Sequence, residues 1–150
     1  MSIRPRFISV LAAFVSAAMV GLTTLAALAQ QKDEGTHAVT PIIFTADQVA
    51  RGRSAYERGC VDCHGSTLDN GEFGGPPLKG LSFARHWDAA NVAALFSFMK
   101  AKMPPDRPGQ LNDETYADLI AYILGENGYA PGKTELSTDV NAQRAMSLKK

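Results

Sequence analysis

The sequence predicts an all-α domain with three main helices. Two observations carry that reading. Two segments repeat apolar residues with helical rather than alternating spacing and a third opens on a capping box, while no segment shows the period of a strand. A third observation shapes the architecture. Gly65 to Leu81 holds five glycines together with Pro76 and Pro77, which no regular element survives.

The first helix is announced by Thr45-Ala46-Asp47-Gln48, a capping box in which the Thr45 hydroxyl and the Gln48 side chain serve each other's backbone amides. Phe44 and Val49 are spaced as a hydrophobic staple across it, and the helix is expected from about Ala46 to Arg58, stopping at Gly59. The helical period returns from Asp88, where Val92, Leu95, Phe96 and Met99 fall at i, i+3, i+4 and i+7, until Pro104, Pro105 and Pro108 break it. Asn112 caps the last helix, with Leu111 and Tyr116 as its staple. Tyr116, Leu119, Ile120 and Ile123 form its buried stripe with Tyr122 beside it, and Gly125 and Asn127-Gly128 end it.

Around this domain the chain divides into 1–29, 30–44, 45–128 and 129–150. Arg4 and Arg6, the uncharged 22 residues Phe7 to Leu28, and Ala27-Leu28-Ala29 have the form of a secretory signal peptide cleaved after Ala29. A retained membrane anchor is the competing reading, since that length nearly spans a bilayer, but its Ala, Ser, Thr and Gly dilute the hydrophobicity. Either way the remainder is exported, which in a bacterial cell means the periplasm. Residues 30–44 read as a flexible leader. Residues 129–150 read as a polar C-terminal extension with weak helical character, in which Met146 is expected exposed.

Charge and cysteine content narrow the function. Fifteen basic residues balance fifteen acidic ones, and loss of Arg4 and Arg6 leaves 13 against 15. That excludes a nucleic-acid binder built on clustered cations. Two cysteines are too few for a disulfide scaffold or a four-cysteine zinc site.

A 17-residue structureless connection inside so small a domain is normally evidence against the element assignment. The conflict disappears if a large apolar cofactor fills the middle and the loops wrap it. Cys60-Val61-Asp62-Cys63-His64 supplies one: C-x-x-C-H is the attachment signature of c-type haem. Two thiols three positions apart can each form a thioether with one haem vinyl group. The adjacent imidazole can then coordinate the iron. The other readings are weaker. A thioredoxin-type pair needs a βαβ context that is absent, and a zinc site lacks a clear fourth ligand beyond His86. A disulfide would strain across so short a loop and leave the Gly/Pro connection unexplained.

With these residues in place, Thr45 to Leu124 resembles the class I (mitochondrial-type) cytochrome c family. Gly52, Tyr56, Cys60, Cys63 and His64 are similar to its first helix and haem site. Gly75-Pro76-Pro77-Leu78-Lys79-Gly80 is similar to its following turn, which implies that the Pro76 carbonyl accepts the Nδ1–H of His64. Met103-Pro104 resembles its distal-ligand loop. Leu119 and Tyr122 lie where its last helix crosses the first, against Gly52. The resemblance implies a cytochrome c fold with one covalently bound haem c. Trp87, Met103-Pro104-Pro105, Pro108-Gly109, Tyr116, Leu124 to Gly128 and Pro131-Gly132 are also similar to small cytochromes serving quinoprotein (PQQ-dependent) alcohol dehydrogenases.

A methionine sulfur favours Fe(II) and raises the potential. Met103, just past a helix and held stiffly before two prolines, is the expected second axial ligand. Met99, which continues an apolar stripe, and an open site are the alternatives. Trp87 and Arg85 are candidate partners of the haem propionates. His86, His37, Lys100 and Lys102 are read as surface residues. A haem closed on both faces by His64 and Met103 leaves one-electron cycling as its chemistry. The expectation is therefore a periplasmic electron-transfer protein with no small-molecule substrate and no catalytic residues. Its redox partners would be a dehydrogenase, a terminal oxidase or another cytochrome. The rival readings are a dedicated haem subunit of a stable dehydrogenase complex, and an enzyme or gas sensor with a labile Met103.

Overall fold

The computed structural model describes residues 41–150. The expected signal segment, His37 and most of the expected leader lie outside the described residues. Six helices follow in order: α1 Ala46–Gly59, α2 Val61–His64, α3 Gly80–Trp87, α4 Val92–Lys102, α5 Asp113–Glu126 and α6 Val140–Arg144. Among the described residues there is no strand, and the only bridges are isolated, Thr45 with Gly132 and Asn91 with Ser147.

The capping box forms as the sequence predicts. The Gln48 amide donates to Thr45 Oγ1 at 3.2 Å and the Thr45 amide to Gln48 Oε1 at 3.4 Å. Asn91 and Asn112 cap α4 and α5 through their side-chain oxygens, at 3.0 Å and 2.8 Å. α4 therefore begins at Val92 rather than at Asp88, because the cap fixes the start.

The frame of the molecule is the crossing of α1 and α5. It depends on Gly52. A Cβ there would stand 1.9 Å from the Asp118 carbonyl oxygen and 2.9 Å from the Tyr122 Cβ, so only glycine lets the backbones approach this closely. The sequence pointed to Leu119 and Tyr122 at this crossing. Tyr122 and Asp118 stand nearest to Gly52, and Leu119 also lines the interior cleft. Arg51 strengthens the crossing with a two-pronged pair to Asp118 at 2.8 and 2.9 Å and a bond to Glu135 at 2.7 Å.

Two stretches read as irregular prove ordered. Gly80–Trp87 is a helix, although the loop was expected to reach Leu81 and His86 and Trp87 to lie in irregular chain. Residues 129–150 pack onto the body. Leu136, Met146 and Leu148 are buried, and Met146 is 2% exposed where an exposed residue was expected. The polar composition hid this because backbone bonds to distant partners hold the segment. The Gly132 amide donates to the Phe44 carbonyl (2.7 Å), Val92 to Met146 (3.0 Å) and Leu148 to Ala90 (3.0 Å). Among the described residues no helix is long and apolar enough to cross a membrane.

Candidate haem site

α1 delivers the C-x-x-C-H segment to the middle of the molecule. Its last turn ends with the Cys60 amide donating to the Tyr56 carbonyl at 2.9 Å. One short turn, α2, then carries Val61 to His64. Buried Tyr56 braces this turn from below, its hydroxyl donating to the Gly65 carbonyl at 2.6 Å. A buried tyrosine must place its hydroxyl somewhere, and burial holds the phenol well above its usual range.

The glycine-rich loop folds over the back of the same turn. The amides of Gly71 and Gly75 both donate to the Cys63 carbonyl, at 3.0 and 2.7 Å. At Gly75 a Cβ would lie 2.5 Å from that carbonyl oxygen, so the loop can seat itself only with glycine there. This brings Pro76 to His64, with 2.8 Å between His64 Nδ1 and the Pro76 carbonyl oxygen, as the resemblance implied. A carbonyl accepts only, so Nδ1 must carry the proton and Nε2 keeps its lone pair. Asn127 fixes the far end of the loop. It accepts from the Gly80 amide at 3.0 Å and donates to the Leu78 carbonyl at 2.9 Å.

The opposite wall comes from α4 and the chain after it. Met103 caps α4 in an extended conformation, its amide donating to the Met99 carbonyl. Tyr116, fully buried on α5, donates its hydroxyl to the Met103 carbonyl at 2.8 Å. Sequence reasoning placed Tyr116 in the core stripe and missed this bond. The signal was available: a tyrosine at a core position needs a partner for its hydroxyl.

Between these walls lies a cleft lined almost wholly by apolar side chains. Cys60, Cys63, His64, Pro76, Trp87 and Met103 all line it, and so do Met99 and His86. Arg85 does not. It stands exposed on α3, beside His86 and Trp87, which line the cleft. Trp87 is half-buried and meets the Phe98 ring edge-on at 5.5 Å. Lys100 is not simply solvated but paired with Asp113 at 2.6 Å. Burial, reinforced by Cys63, pushes the Cys60 thiol up to about 11, with Arg107 acting in the opposite direction. Two thiols, an imidazole with a fixed tautomer and a thioether around one apolar cleft fit a covalently held haem.

The family described as "Cytochrome C oxidase, cbb3-type, subunit III" matches residues 47–123, more than half of the chain. The chain belongs to this family of c-type cytochrome domains. Its cofactor is therefore covalently bound haem c, and it is an electron-transfer protein rather than a catalytic enzyme. The cytochrome domain is also 29% identical over 89 residues to "Cbb3-type cytochrome c oxidase subunit CcoP" of Azospirillum sp. (strain B510). That alignment takes in 55% of this chain and 30% of the relative, so the cytochrome spans under a third of its curated relative's length. No solved structure matches it significantly. These matches establish the family. They do not extend to the closer likeness with quinoprotein dehydrogenase cytochromes.

Proposed function

We infer that this chain is an exported monohaem cytochrome c, directed out by residues 1–29, that carries single electrons between redox proteins. In this reading Cys60 and Cys63 hold the haem by thioether links, and His64 and Met103 are the axial ligands. The observation that carries it is the meeting of all four side chains on one apolar cleft, with His64 Nδ1 bound to the Pro76 carbonyl at 2.8 Å.

Bound haem supplies one-electron cycling between Fe(III) and Fe(II). The chain's own groups set the terms. The Pro76 carbonyl holds the His64 ring in one orientation and makes Nε2 a better donor. The Tyr116 bond holds the Met103 backbone where its sulfur would face a bound haem. Apolar walls exclude water and favour the less charged Fe(II) state. Trp87, on the cleft wall, and Arg85, exposed two residues before it, are the candidates for propionate contacts.

The curated relative is named as an oxidase subunit. We therefore place the partners on the oxidase side, as an oxidase assembly or a cytochrome feeding one. A dehydrogenase as electron source rests on sequence resemblance alone.

Absorption spectra of the oxidised and reduced protein, followed by a carbon monoxide challenge, test this. Sharp low-spin bands, a sulfur-to-iron charge-transfer band in the oxidised form and no response to carbon monoxide are expected. Met103→Ala should lose the charge-transfer band, bind carbon monoxide and lower the potential. A variant that keeps both band and potential would overturn the assignment of Met103. A high-spin wild-type spectrum with fast carbon monoxide binding would instead favour an enzyme or sensor.

A further inference from the structure

Asn127 closes α5 as its cap residue, its backbone amide donating to the Ile123 and Leu124 carbonyls at 3.0 and 3.1 Å. Its side chain then reaches outward to the loop that follows the haem motif. Nδ2 donates to the Leu78 carbonyl at 2.9 Å and to the Ile123 carbonyl at 2.8 Å. Oδ1 accepts from the Gly80 amide at 3.0 Å. Both amide protons and the oxygen are therefore in use, a set that a carboxylate, which only accepts, cannot reproduce.

Leu78 stands two residues after Pro76, whose carbonyl oxygen is 2.8 Å from His64 Nδ1. Pro77 lies between them. Its ring fixes its own φ and narrows the conformations open to Pro76, so the Pro76 carbonyl turns with Leu78 rather than freely. Leu78 is held on both sides. Its amide donates to the carbonyl of fully buried Leu68 at 2.7 Å, a bond inside the loop, and its carbonyl accepts from Asn127 of α5. The C-terminal segment backs Asn127 in turn. Lys150 Nζ donates to the Asn127 carbonyl and lies 4.7 Å from the centre of the Tyr129 ring. The Tyr129 hydroxyl donates to the Leu148 carbonyl at 2.5 Å.

We propose that Asn127 is a positioning residue for the haem iron: by fixing Leu78 and Gly80 it holds the Pro76 carbonyl on His64 and so sets the reduction potential, with Lys150 steadying it from the C-terminal segment. The proposal rests on the assignment of His64 as an axial ligand. A ligating imidazole whose Nδ1–H is firmly bound is a stronger donor to the iron, which favours Fe(III), and a looser bond favours Fe(II). Asn127 acts on the iron only through the loop backbone and the His64 ring. A purely structural role leads elsewhere. A cap whose loss merely loosened the fold would let water toward the haem, and water favours the more charged Fe(III). The sign of the potential shift separates the two.

The test compares the holoprotein with Asn127→Ala, Asn127→Asp, Lys150→Gln and Leu136→Ala. Two quantities are read: the reduction potential, and the exchange of the His64 Nδ1 proton with D2O, followed by proton NMR in the reduced state. In Asn127→Ala that proton should exchange about fivefold faster, the effect of about one hydrogen bond's worth of restraint. The equilibrium constant for reduction should rise about threefold, which at 59 mV per tenfold is about 28 mV upward. Asn127→Asp keeps an acceptor for the Gly80 amide and loses the donor to Leu78, so it should show most of both changes. Lys150→Gln removes the outer support and leaves the cap intact, so it should move both in the same direction by less, and it serves should the Asn127 variants not fold. Leu136→Ala cuts a buried side chain from the same C-terminal segment, at its contact with Gln48. It should lower the unfolding midpoint and leave potential and proton exchange as in the wild type. A potential that stays or falls in Asn127→Ala would overturn the proposal, and so would an equal rise in Leu136→Ala. A wild-type spectrum without low-spin iron would mean that the axial-ligand reading fails first, and the proposal with it.

Discussion

The hydroxyl of Tyr116 ties the core to the loop that carries Met103. Tyr116→Phe removes the donor and leaves the shape intact. It should cost about 1 kcal/mol of stability, read from the midpoint of denaturant unfolding. Because the bond restrains the candidate ligand, the same variant should also bind carbon monoxide faster than the wild type when reduced. An unchanged rate would mean that the two prolines alone hold Met103. His64 differs in kind. Its ring is fixed by a backbone carbonyl, which no side-chain substitution at Pro76 removes.

At the scale of elements, the C-terminal segment is worth as much as a helix. Leu148 is fully buried, its amide donates to the Ala90 carbonyl and its own carbonyl accepts from the Tyr129 hydroxyl. Leu148→Ala should destabilise the protein by about 3 kcal/mol, measured by thermal or chemical unfolding. A change within about 0.5 kcal/mol, as is usual for surface positions, would show that the segment is dispensable. α4 and α5 were legible in the sequence because each repeats apolar residues over two or more turns and carries a recognisable cap, and α1 was legible from its capping box and closing glycine. α3 was not. It has eight residues and no side-chain cap, and its second residue, Leu81, faces solvent at 76% exposure. Only Phe83 and Trp87 share a face, which is too short a pattern to read. The tail was illegible for another reason. Its three buried apolar residues are scattered through 22, and the bonds that order it reach across the sequence. The candidate site was the most legible part. A five-residue motif carries the chemistry, and the Gly75-Pro76 turn carries its support. Tyr116 and Asn127 were read as core and helix end. Their second roles depend on what lies opposite them in space, which no local pattern encodes.

For the molecule as a whole, alkaline pH should lower stability through its buried tyrosines. Tyr56, Tyr122 and Tyr129 all have phenols raised above the usual value, burial being the first cause in each. A group whose pKa is higher folded than unfolded contributes stability that is fully present below its unfolded value. That contribution is lost as the pH rises through the folded value. Stability should therefore hold up to about pH 10 and fall above it, since unfolded tyrosines ionise there and folded ones do not. Urea midpoints measured across that range would check this. A Tyr56→Phe variant should show a shallower decline, because its largest buried phenol is gone.

One atom near the start of α1 ties this behaviour together. Gln48 Oε1 accepts from the Thr45 amide, closing the capping box, and also from the Leu136 amide at 2.6 Å. Its Nε2 returns a bond to the Leu136 carbonyl at 3.2 Å. The beginning of the first helix and the middle of the C-terminal segment thus share a single amide group. Neither can fray without releasing the other. In hydrogen–deuterium exchange they should open as one cooperative unit. The amides of Gln48, Gly132 and Leu136 should exchange with a common opening free energy, although up to 88 positions separate the bonded pair.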